Sequence, residues 1–233
     1  MSYYFKWNGV SSETKGIRLQ EMPQIIRPEE RIEHVIIPGR SGEMTLTEGE
    51  DVYESYIQTI PLIVESAANV AAAEKWLRGG GYVEFCCQPG LKQQARVINS
   101  VEFRKHSKHS NWWEASVQFY CQPLKEPESI TPVEMTESGT IINNPGDVVS
   151  RPIITLSGSG GETIQIGSRV MTVLGFEDGW MIDCENEWVT DENGVPQQGV
   201  MNGQYPRINP GNNIVMFSGQ ATKLTVNGNW RYL

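Results

Sequence analysis

The sequence predicts a mainly β protein of two domains, and three observations lead to this prediction. Short runs of alternating apolar and polar residues recur along nearly the whole chain, a pattern typical of half-buried strands. A single stretch, which begins near Ser66, has the composition of a helix. The length of 233 residues is too large for one ordinary β domain and suits two domains of roughly 100 to 150 residues each.

The predicted boundary between the domains is a segment rich in proline. Residues Gln122 to Ser138 include Pro123, Pro127 and Pro132, interrupt the alternation and contain few large apolar side chains. We therefore expect a first domain of residues 1–125, a linker of residues 126–137 and a second domain of residues 138–233.

The first domain is predicted to be a β-barrel or sheet with one covering helix. Ser66 can cap this helix, Val70, Ala73, Trp76 and Leu77 fall on one of its faces, and three glycines from Gly79 end it. Trp76 is the expected anchor of the helix on the sheet. The predicted strands are Tyr3 to Trp7, Ile17 to Met22, Arg31 to Ile37, Gln58 to Val64, Tyr82 to Cys86, Ala95 to Phe103 and Trp112 to Tyr120.

The second domain is predicted to be an antiparallel β-sandwich, because its short strands are separated by Gly, Asn and Asp turns. We expect Gly158-Ser159-Gly160-Gly161 to be a turn between two strands. Asn227-Gly228 lies between Leu224-Thr225-Val226 and Trp230-Arg231-Tyr232, which predicts a terminal hairpin with a type I′ turn.

The formal net charge of −9 is unevenly distributed along the chain. Up to Lys125 there are 14 lysines and arginines against 15 acidic residues, and thereafter 5 against 13. The sequence shows no basic stripe for phosphate backbones, which disfavours stable binding to nucleic acid. The longest apolar runs are shorter than the ~20 residues of a membrane helix, and Met1 to Gly9 lacks the pattern of a secretion signal. We therefore expect no membrane anchor and folding in a cytoplasm.

The four cysteines are predicted to be reduced thiols buried in apolar strands. Cys86, Cys87, Cys121 and Cys184 show no Cys-x-x-Cys spacing, and the vicinal pair does not readily bridge to itself. A zinc site and a disulfide framework are therefore not expected.

A glycine-flanked turn followed by a polar segment is the candidate for a subunit interface. Gly39 and Gly42 flank Arg40 and Ser41 where positive φ is needed, and in the segment Glu43 to Glu50 the apolar Met44 and Leu46 alternate with polar residues. This segment resembles an arm that pairs with a neighbouring subunit through exposed strand edges. The alternative is an ordinary solvated hairpin. The candidate interface residues are Gly39, Arg40, Ser41, Gly42, Met44 and Leu46.

The sequence supports catalytic and metal-binding sites less well than it supports a subunit interface. His34 lies in a strand, and His106 and His109 lie in a segment with the composition of an exposed hairpin loop, with no carboxylate or cysteine nearby to complete a metal site. A cluster of carboxylates around residues 183–192 suggests either a glycosidase pair or a calcium site. The alternative is that Glu185-Asn186-Glu187 is a hairpin turn and Asp183 a structural carboxylate. Those carboxylates are Asp183, Glu185, Glu187, Asp191 and Glu192. We predict no catalytic residue, no cofactor and no metal.

Carbohydrate binding is the main competing function. The second domain combines a predicted sandwich with Trp180, Trp188 and Trp230, and an exposed indole can stack on a sugar ring. Tryptophan at such strand positions more often belongs to the core.

The order of motifs over nearly the whole chain resembles that of phage distal tail proteins. In the first domain the landmarks are Phe5-Lys6-Trp7-Asn8-Gly9-Val10, Val35-Ile36-Ile37-Pro38-Gly39-Arg40-Ser41-Gly42, Trp76-Leu77 and Phe119-Tyr120-Cys121-Gln122-Pro123. In the second they are Ile142-Asn143-Asn144-Pro145-Gly146, Arg151-Pro152-Ile153-Ile154, Met181-Ile182-Asp183-Cys184 and Asn209-Pro210-Gly211-Asn212-Asn213-Ile214.

This resemblance implies a non-enzymatic protein of the virion tail tip, assembled in the cytoplasm of a host bacterium. Its first domain would be the family's tail-component domain and its second a galectin-like sandwich. The implied assembly is a homo-oligomeric ring, a hexamer, through which DNA only passes. The implied partners are the tail tube protein, a tail-tip hub protein of the tail-associated lysin type and receptor-binding proteins.

Overall fold

The structure, a computed structural model, describes residues 3–47 and 49–233. Met1 and Ser2 at the N-terminus and Glu48 of the segment Glu43 to Glu50 lie outside the described residues. The chain divides into two compact units, Met1–Glu128 with Leu233 and Ser129–Tyr232, and each unit has a hydrophobic core of its own. The prediction of a mainly β fold with one covering α-helix is confirmed.

The described residues of the first unit form ten strands, one 3-10 turn and one helix, and the alternation did not predict the strands at Val10–Ser11, Glu43–Thr47 and Arg104–Lys105. Its strands are β1 (Phe5–Trp7), β2 (Val10–Ser11), β3 (Ile17–Leu19), β4 (Ile32–Ile36), β5 (Glu43–Thr47), β6 (Tyr56–Val64), β7 (Gly80–Phe85), β8 (Leu91–Val97), β9 (Arg104–Lys105) and β10 (Trp113–Pro127). A 3-10 turn spans Ser12–Lys15, and helix α1 spans Ala67–Trp76.

An antiparallel sheet with the strand order β2-β1-β7-β8-β10-β6-β3 forms the body of the first unit. Alternate residues of each strand enter the core, so that Ile60, Leu62 and Val64 of β6 are buried while their sequence neighbours are more exposed. Strand β8 ends at Val97, earlier than the predicted end at Phe103.

Helix α1 covers this core as the sequence predicts. The Ser66 Oγ accepts a hydrogen bond from the backbone N–H of Asn69 at 3.1 Å, which caps the helix. Ala73 and Leu77 are buried, and the helix ends before Gly79, whose φ of 76° favours glycine.

The second unit is an eight-stranded antiparallel sheet folded around one core. Its strands are β11 (Val133–Met135), β12 (Thr140–Asn144), β13 (Ile153–Ile166), β14 (Arg169–Phe176), β15 (Met181–Asp183), β16 (Trp188–Thr190), β17 (Met201–Gly203) and β18 (Gly211–Asn227). Two long strands, β13 and β18, pair with each other from Ile153 to Ile166 of β13. Strands β12, β14 and β17 join one end of this pair, and β11, β15 and β16 join the other.

The prediction of a turn at residues 158–161 is wrong, because these glycines lie inside β13. The β13–β18 register shifts at Gly158 and again before Glu162, and Gly158 and Gly160 have φ values of 113° and 124°. Bulges of this kind bend a strand, so that its two halves can run in different directions. The buried Glu162 Oε2 accepts the N–H of Ala221 at 2.8 Å and so holds the bend from within.

The prediction of a terminal hairpin at Asn227-Gly228 is also wrong. Strand β18 ends at Asn227, and Gly228 has no positive φ. The ring of Trp230 instead lies against Gly228, where a Cβ would come within 1.9 Å of the indole. Glycine is required here by close packing and not by a turn.

Paired strands occupy both ends of the segment predicted as a linker. Glu126 and Pro127 of β10 pair with Lys92 and Leu91, and β11 pairs with β18. The boundaries at 125 and 138 stay a prediction.

Candidate subunit interface

Strands β4 and β5 form a two-stranded sheet of their own, separate from the large sheet of the first unit. They pair antiparallel, with Val35 opposite Met44 and Glu33 opposite Leu46. We call residues 32–47 the arm.

The connection between the two strands has the backbone that the sequence predicts. Gly39 and Gly42 have φ values of 81° and 84°, and the N–H of Arg40 bonds to the carbonyl of Ile37 at 3.2 Å. Arg40 and Ser41 are exposed at the tip. The turn therefore presents these two side chains at the end of the arm.

Both faces of the arm carry apolar side chains. Residues opposite one another in a sheet share a face, so Val35, Met44 and Leu46 lie on one face and Ile32 and Ile36 on the other. Met44 and Leu46 are 44% and 40% exposed, and Ile36 is 74% exposed. The alternation identified Met44 and Leu46, whereas Val35 joins them only through the register, which the sequence does not encode locally.

The base of the arm is tied to the body of the unit by a further pairing. The N–H of Arg31 bonds to the carbonyl of Val52 at 2.9 Å, and the N–H of Glu54 bonds to the carbonyl of Glu29 at 2.7 Å. The Arg31 Nε and the Glu54 Oε1 form an ion pair at 2.7 Å. These contacts determine where the arm leaves the body.

A groove of about 410 Å³ lies between the segment 21–26 and strand β6. Met22 and Ile57 line it and are each 49% exposed, and the Gln58 Nε2 donates to the Gln24 carbonyl at 3.2 Å across it. No local sequence pattern predicts this groove, because its two walls are more than thirty residues apart in the chain.

The three histidines are exposed and lie on two different hairpins of the first unit. The His34 Nδ1 lies 3.4 Å from the Thr45 hydroxyl and 3.5 Å from a Glu43 carboxylate oxygen on the arm. His106 and His109 lie in the exposed loop that was predicted, and the His106 Nδ1 contacts the Glu114 Oε1 at 2.6 Å. Among the residues that the structure describes, no group of three or more His, Cys, Asp or Glu side chains is placed to hold a metal ion.

Asp183 is a structural carboxylate in the turn between β15 and β16. Its Oδ1 accepts the N–H groups of Glu185 at 2.9 Å and Asn186 at 3.0 Å, and its Oδ2 accepts the Asn186 side-chain amide at 2.8 Å. Burial raises the pKa of Asp183, but these hydrogen bonds and one to Trp188 outweigh it, so that the pKa is lowered overall. Asp191 likewise accepts the N–H groups of Asn193 and Val195, both at 2.9 Å, within its own turn.

The four thiols are free. Cys121 lies in a strand, whereas Cys86, Cys87 and Cys184 lie in turns, so the prediction of buried strand positions is correct only for Cys121. Cys121 and Cys184 are buried, and Cys86 and Cys87 are partly buried. Burial raises the pKa of both Cys121 and Cys184 to about 12 and also raises that of Cys87. The buried thiols of Cys121 and Cys184 behave as small hydrophobes and not as nucleophiles.

The three tryptophans considered for sugar binding have different environments. Trp180 and Trp230 belong to the core of the second unit at 7% and 9% exposure, whereas Trp188 is 48% exposed beside Asp183. Outside that unit, Trp112 is 56% exposed next to the histidine loop. Of these three tryptophans, Trp188 alone has a largely exposed indole.

The fold was then compared with known proteins. The chain aligns over 100% of its length, and over 100% of the other chain, with the crystal structure of the SPP1 Dit protein, at a TM-score of 0.79 and 16% sequence identity. The chain has the Dit fold. That protein is described as a paradigm of the hub adsorption apparatus of phages that infect Gram-positive bacteria. No family model matches the sequence, and no curated protein sequence matches it.

The likeness to Dit covers both units and, at 16% identity, is a likeness of fold. Among the described residues, no helix is long and apolar enough to cross a membrane.

Proposed function

We propose that this chain is a non-enzymatic structural protein of a phage tail, a distal tail protein that forms a ring at the baseplate hub. The observation that carries the proposal is the full-length match to the Dit fold at a TM-score of 0.79. The order of the landmark motifs agrees with this match. The ring joins the tail tube to the tail-tip hub protein and to the receptor-binding proteins.

The arm is the part of the chain through which copies join. A lone two-stranded hairpin is only marginally stable in water, and this one carries exposed apolar side chains on both faces. Burial of Met44 and Leu46 against a neighbouring copy stabilises both the hairpin and the contact. Because the arm meets a different surface of the neighbour, the contact is heterologous and closes into a ring, for which we propose six copies.

The two domains have different roles in this assembly. The first domain, nearly neutral up to Lys125, forms the ring around the channel through which DNA passes. The acidic second domain, galectin-like by resemblance, projects outward and carries attachment surface. The protein is assembled in the host cytoplasm and resides at the virion tail tip.

The ring is tested by mass photometry and negative-stain electron microscopy of the purified chain, with and without the tail tube and hub proteins. We expect particles of six copies with a central channel. Persistent monomers at high concentration, even with both partners present, would falsify the ring.

The arm is tested with the double variant Met44→Glu/Leu46→Glu. We expect monomers that remain folded and unfold cooperatively, since both side chains are exposed in the single chain, with a thermal midpoint lowered only by the loss of the stabilisation that assembly gives the wild type. The matched control is Ile141→Glu/Ile214→Glu, a cross-strand pair of exposed apolar residues in the second unit, which should still assemble. Normal assembly of the arm variant removes the arm from the interface.

Sugar binding by the second domain is the alternative function, and the exposed indole of Trp188 is the observation that favours it. Titration of the full chain with cell-wall polysaccharide from candidate hosts, followed by tryptophan fluorescence, tests it. Saturable binding that Trp188→Ala abolishes and Trp112→Ala preserves supports it. Equal signals from both variants exclude this site.

A further inference from the structure

A basic hairpin projects from the first unit. Residues 104–112 connect β9 to β10 and read Arg-Lys-His-Ser-Lys-His-Ser-Asn-Trp, with three lysines and arginines, two of the three histidines of the chain and no acidic residue. In a chain of net charge −9, this concentration of positive charge on one short segment is unusual. The composition of this segment predicts an exposed hairpin loop and no more.

The hairpin has a defined shape. The N–H of His106 bonds to the carbonyl of Trp112 at 3.0 Å, the N–H of Ser110 bonds to the carbonyl of Ser107 at 3.2 Å, and the Ser110 hydroxyl accepts the N–H of Trp112 at 2.9 Å. A surface that is ordered before binding loses less conformational entropy on association than a flexible one.

The lysines and the arginine of this hairpin are exposed, and the neighbouring Glu114, which lies opposite Arg104 in the strand pair, contacts His106 at 2.6 Å. Within the part of the chain that the structure describes, Arg104, Lys105 and Lys108 have no ion-pair partner, and the Lys105 Nζ reaches only the Lys108 carbonyl at 3.4 Å. Trp112 lies beside them at 56% exposure. Tryptophan and arginine next to each other on a surface are typical of protein contacts.

The second unit carries a hairpin of complementary charge. Residues 183–192, around the β15–β16 turn, include five acidic residues and no lysine or arginine. The exposed Glu187 and Glu192 have no ion-pair partner among the described residues, and Glu185 has only a 3.8 Å contact with Arg151. Trp188 lies among them at 48% exposure. We call residues 183–192 the acidic hairpin.

We propose that the basic hairpin of one copy of this chain binds the acidic hairpin of a second copy. Each surface presents a net charge of one sign beside an exposed indole, carried by Arg104, Lys105 and Lys108 on one and by Glu187 and Glu192 on the other, and the two signs are opposite. Such a contact is heterologous, since each copy offers one surface of each kind, and it therefore propagates around a ring. The inference rests on the proposed self-assembly and identifies a contact in addition to the arm.

Charge reversal with rescue by mixing tests this contact. The first variant is Lys105→Glu/Lys108→Glu, and the second is Glu187→Lys/Glu192→Lys. Self-association of each is measured by sedimentation velocity in 50 mM and 500 mM salt. We expect each variant alone to associate at least about tenfold more weakly than wild type at low salt, because like charges then face each other. The wild-type association should weaken as salt rises.

An equimolar mixture of the two variants should recover the wild-type association, since each negative hairpin then meets a positive one on the other variant. A contact within one chain cannot be restored by mixing. The control reverses two exposed cations of the first unit elsewhere, Lys75→Glu/Arg78→Glu, and should associate like wild type. Thermal midpoints of all variants confirm that they fold.

The outcomes separate this inference from the proposed function. If wild type and both variants form the same rings, or if mixing restores nothing, the hairpin contact is wrong and the ring stands. If wild type forms charge-dependent chains that never close, the contact stands and the ring is wrong. Binding of double-stranded DNA is measured for the wild type and for the Lys105→Glu/Lys108→Glu variant. If this variant loses DNA binding but keeps the wild-type self-association, the basic hairpin binds a polyanion and the inference is overturned.

Discussion

Phe5 and Trp76 stack on each other with their ring centroids 5.5 Å apart and their planes inclined by 16°. This contact joins the first strand of the chain to the covering helix. Phe5 also meets Phe119 of the central strand edge-on at 5.4 Å. The aromatic cluster therefore links three elements that are distant in the sequence.

Replacement of Phe5 by Ala should lower the free energy of unfolding by about 3 to 5 kcal/mol, because Phe5 is fully buried and its removal leaves a cavity under α1. Urea denaturation measures the change. The control Trp112→Ala removes a larger but exposed ring and should change the stability by less than about 0.5 kcal/mol. Similar losses of unfolding free energy in both variants would contradict a stabilising role of Phe5 in the aromatic cluster.

Replacement of Ser66 by Ala should cost about 1 kcal/mol, because the N–H of Asn69 loses its side-chain acceptor at the start of α1. Thermal and urea unfolding measure the loss. Ser107→Ala, in the exposed hairpin loop, is the comparison and should be nearly neutral.

Thiol labelling should separate the four cysteines into two classes. Cys121 and Cys184 are buried with pKa values raised to about 12, so they should not react with iodoacetamide at pH 8 while the protein is folded. Cys86 and Cys87 are partly exposed and should be modified first, as peptide mapping would show. Early labelling of Cys184 in the folded protein would contradict the burial of its side chain.

The stability that Asp183 contributes should depend on pH. Its pKa is lowered in the folded state, so its contribution is present above the ordinary aspartate pKa of ~3.9 and is lost as pH falls through the lowered value. Asp183→Asn should destabilise by about 1 kcal/mol at pH 7, a small value because solvent screens this partly exposed group. Urea unfolding at pH 7 and pH 3 should show the difference between the two proteins shrinking with acid, and a constant difference would refute this.

A double-mutant cycle distinguishes packing at Gly228 from a hairpin turn. Gly228→Ala should cost about 1 to 3 kcal/mol in wild type, because the new methyl group meets the Trp230 ring. In a Trp230→Ala background the same change should cost much less. If Gly228→Ala costs the same in both backgrounds, glycine is required at this position by its backbone conformation and not by its contact with the Trp230 ring.

Much of the fold follows from local sequence signals. The alternation in β6, the Ser66 cap of α1 and the positive φ of Gly39 and Gly42 depend on neighbouring residues only, and each was predicted correctly. The turn at residues 158–161 was not, because a glycine bulge inside a long strand and a turn between two short strands have the same local composition.

The sequence by itself determined the helix, the composition of the arm and strands with clear alternation such as β6, because period and capping act over a few residues. The tertiary structure alone decided that Val35 joins Met44 and Leu46 on one face, that Trp230 covers Gly228, and that Trp188 and not Trp180 is exposed. These features depend on strand register and on packing between segments far apart in the chain. Local propensity does not specify such pairings, which only the assembled core selects.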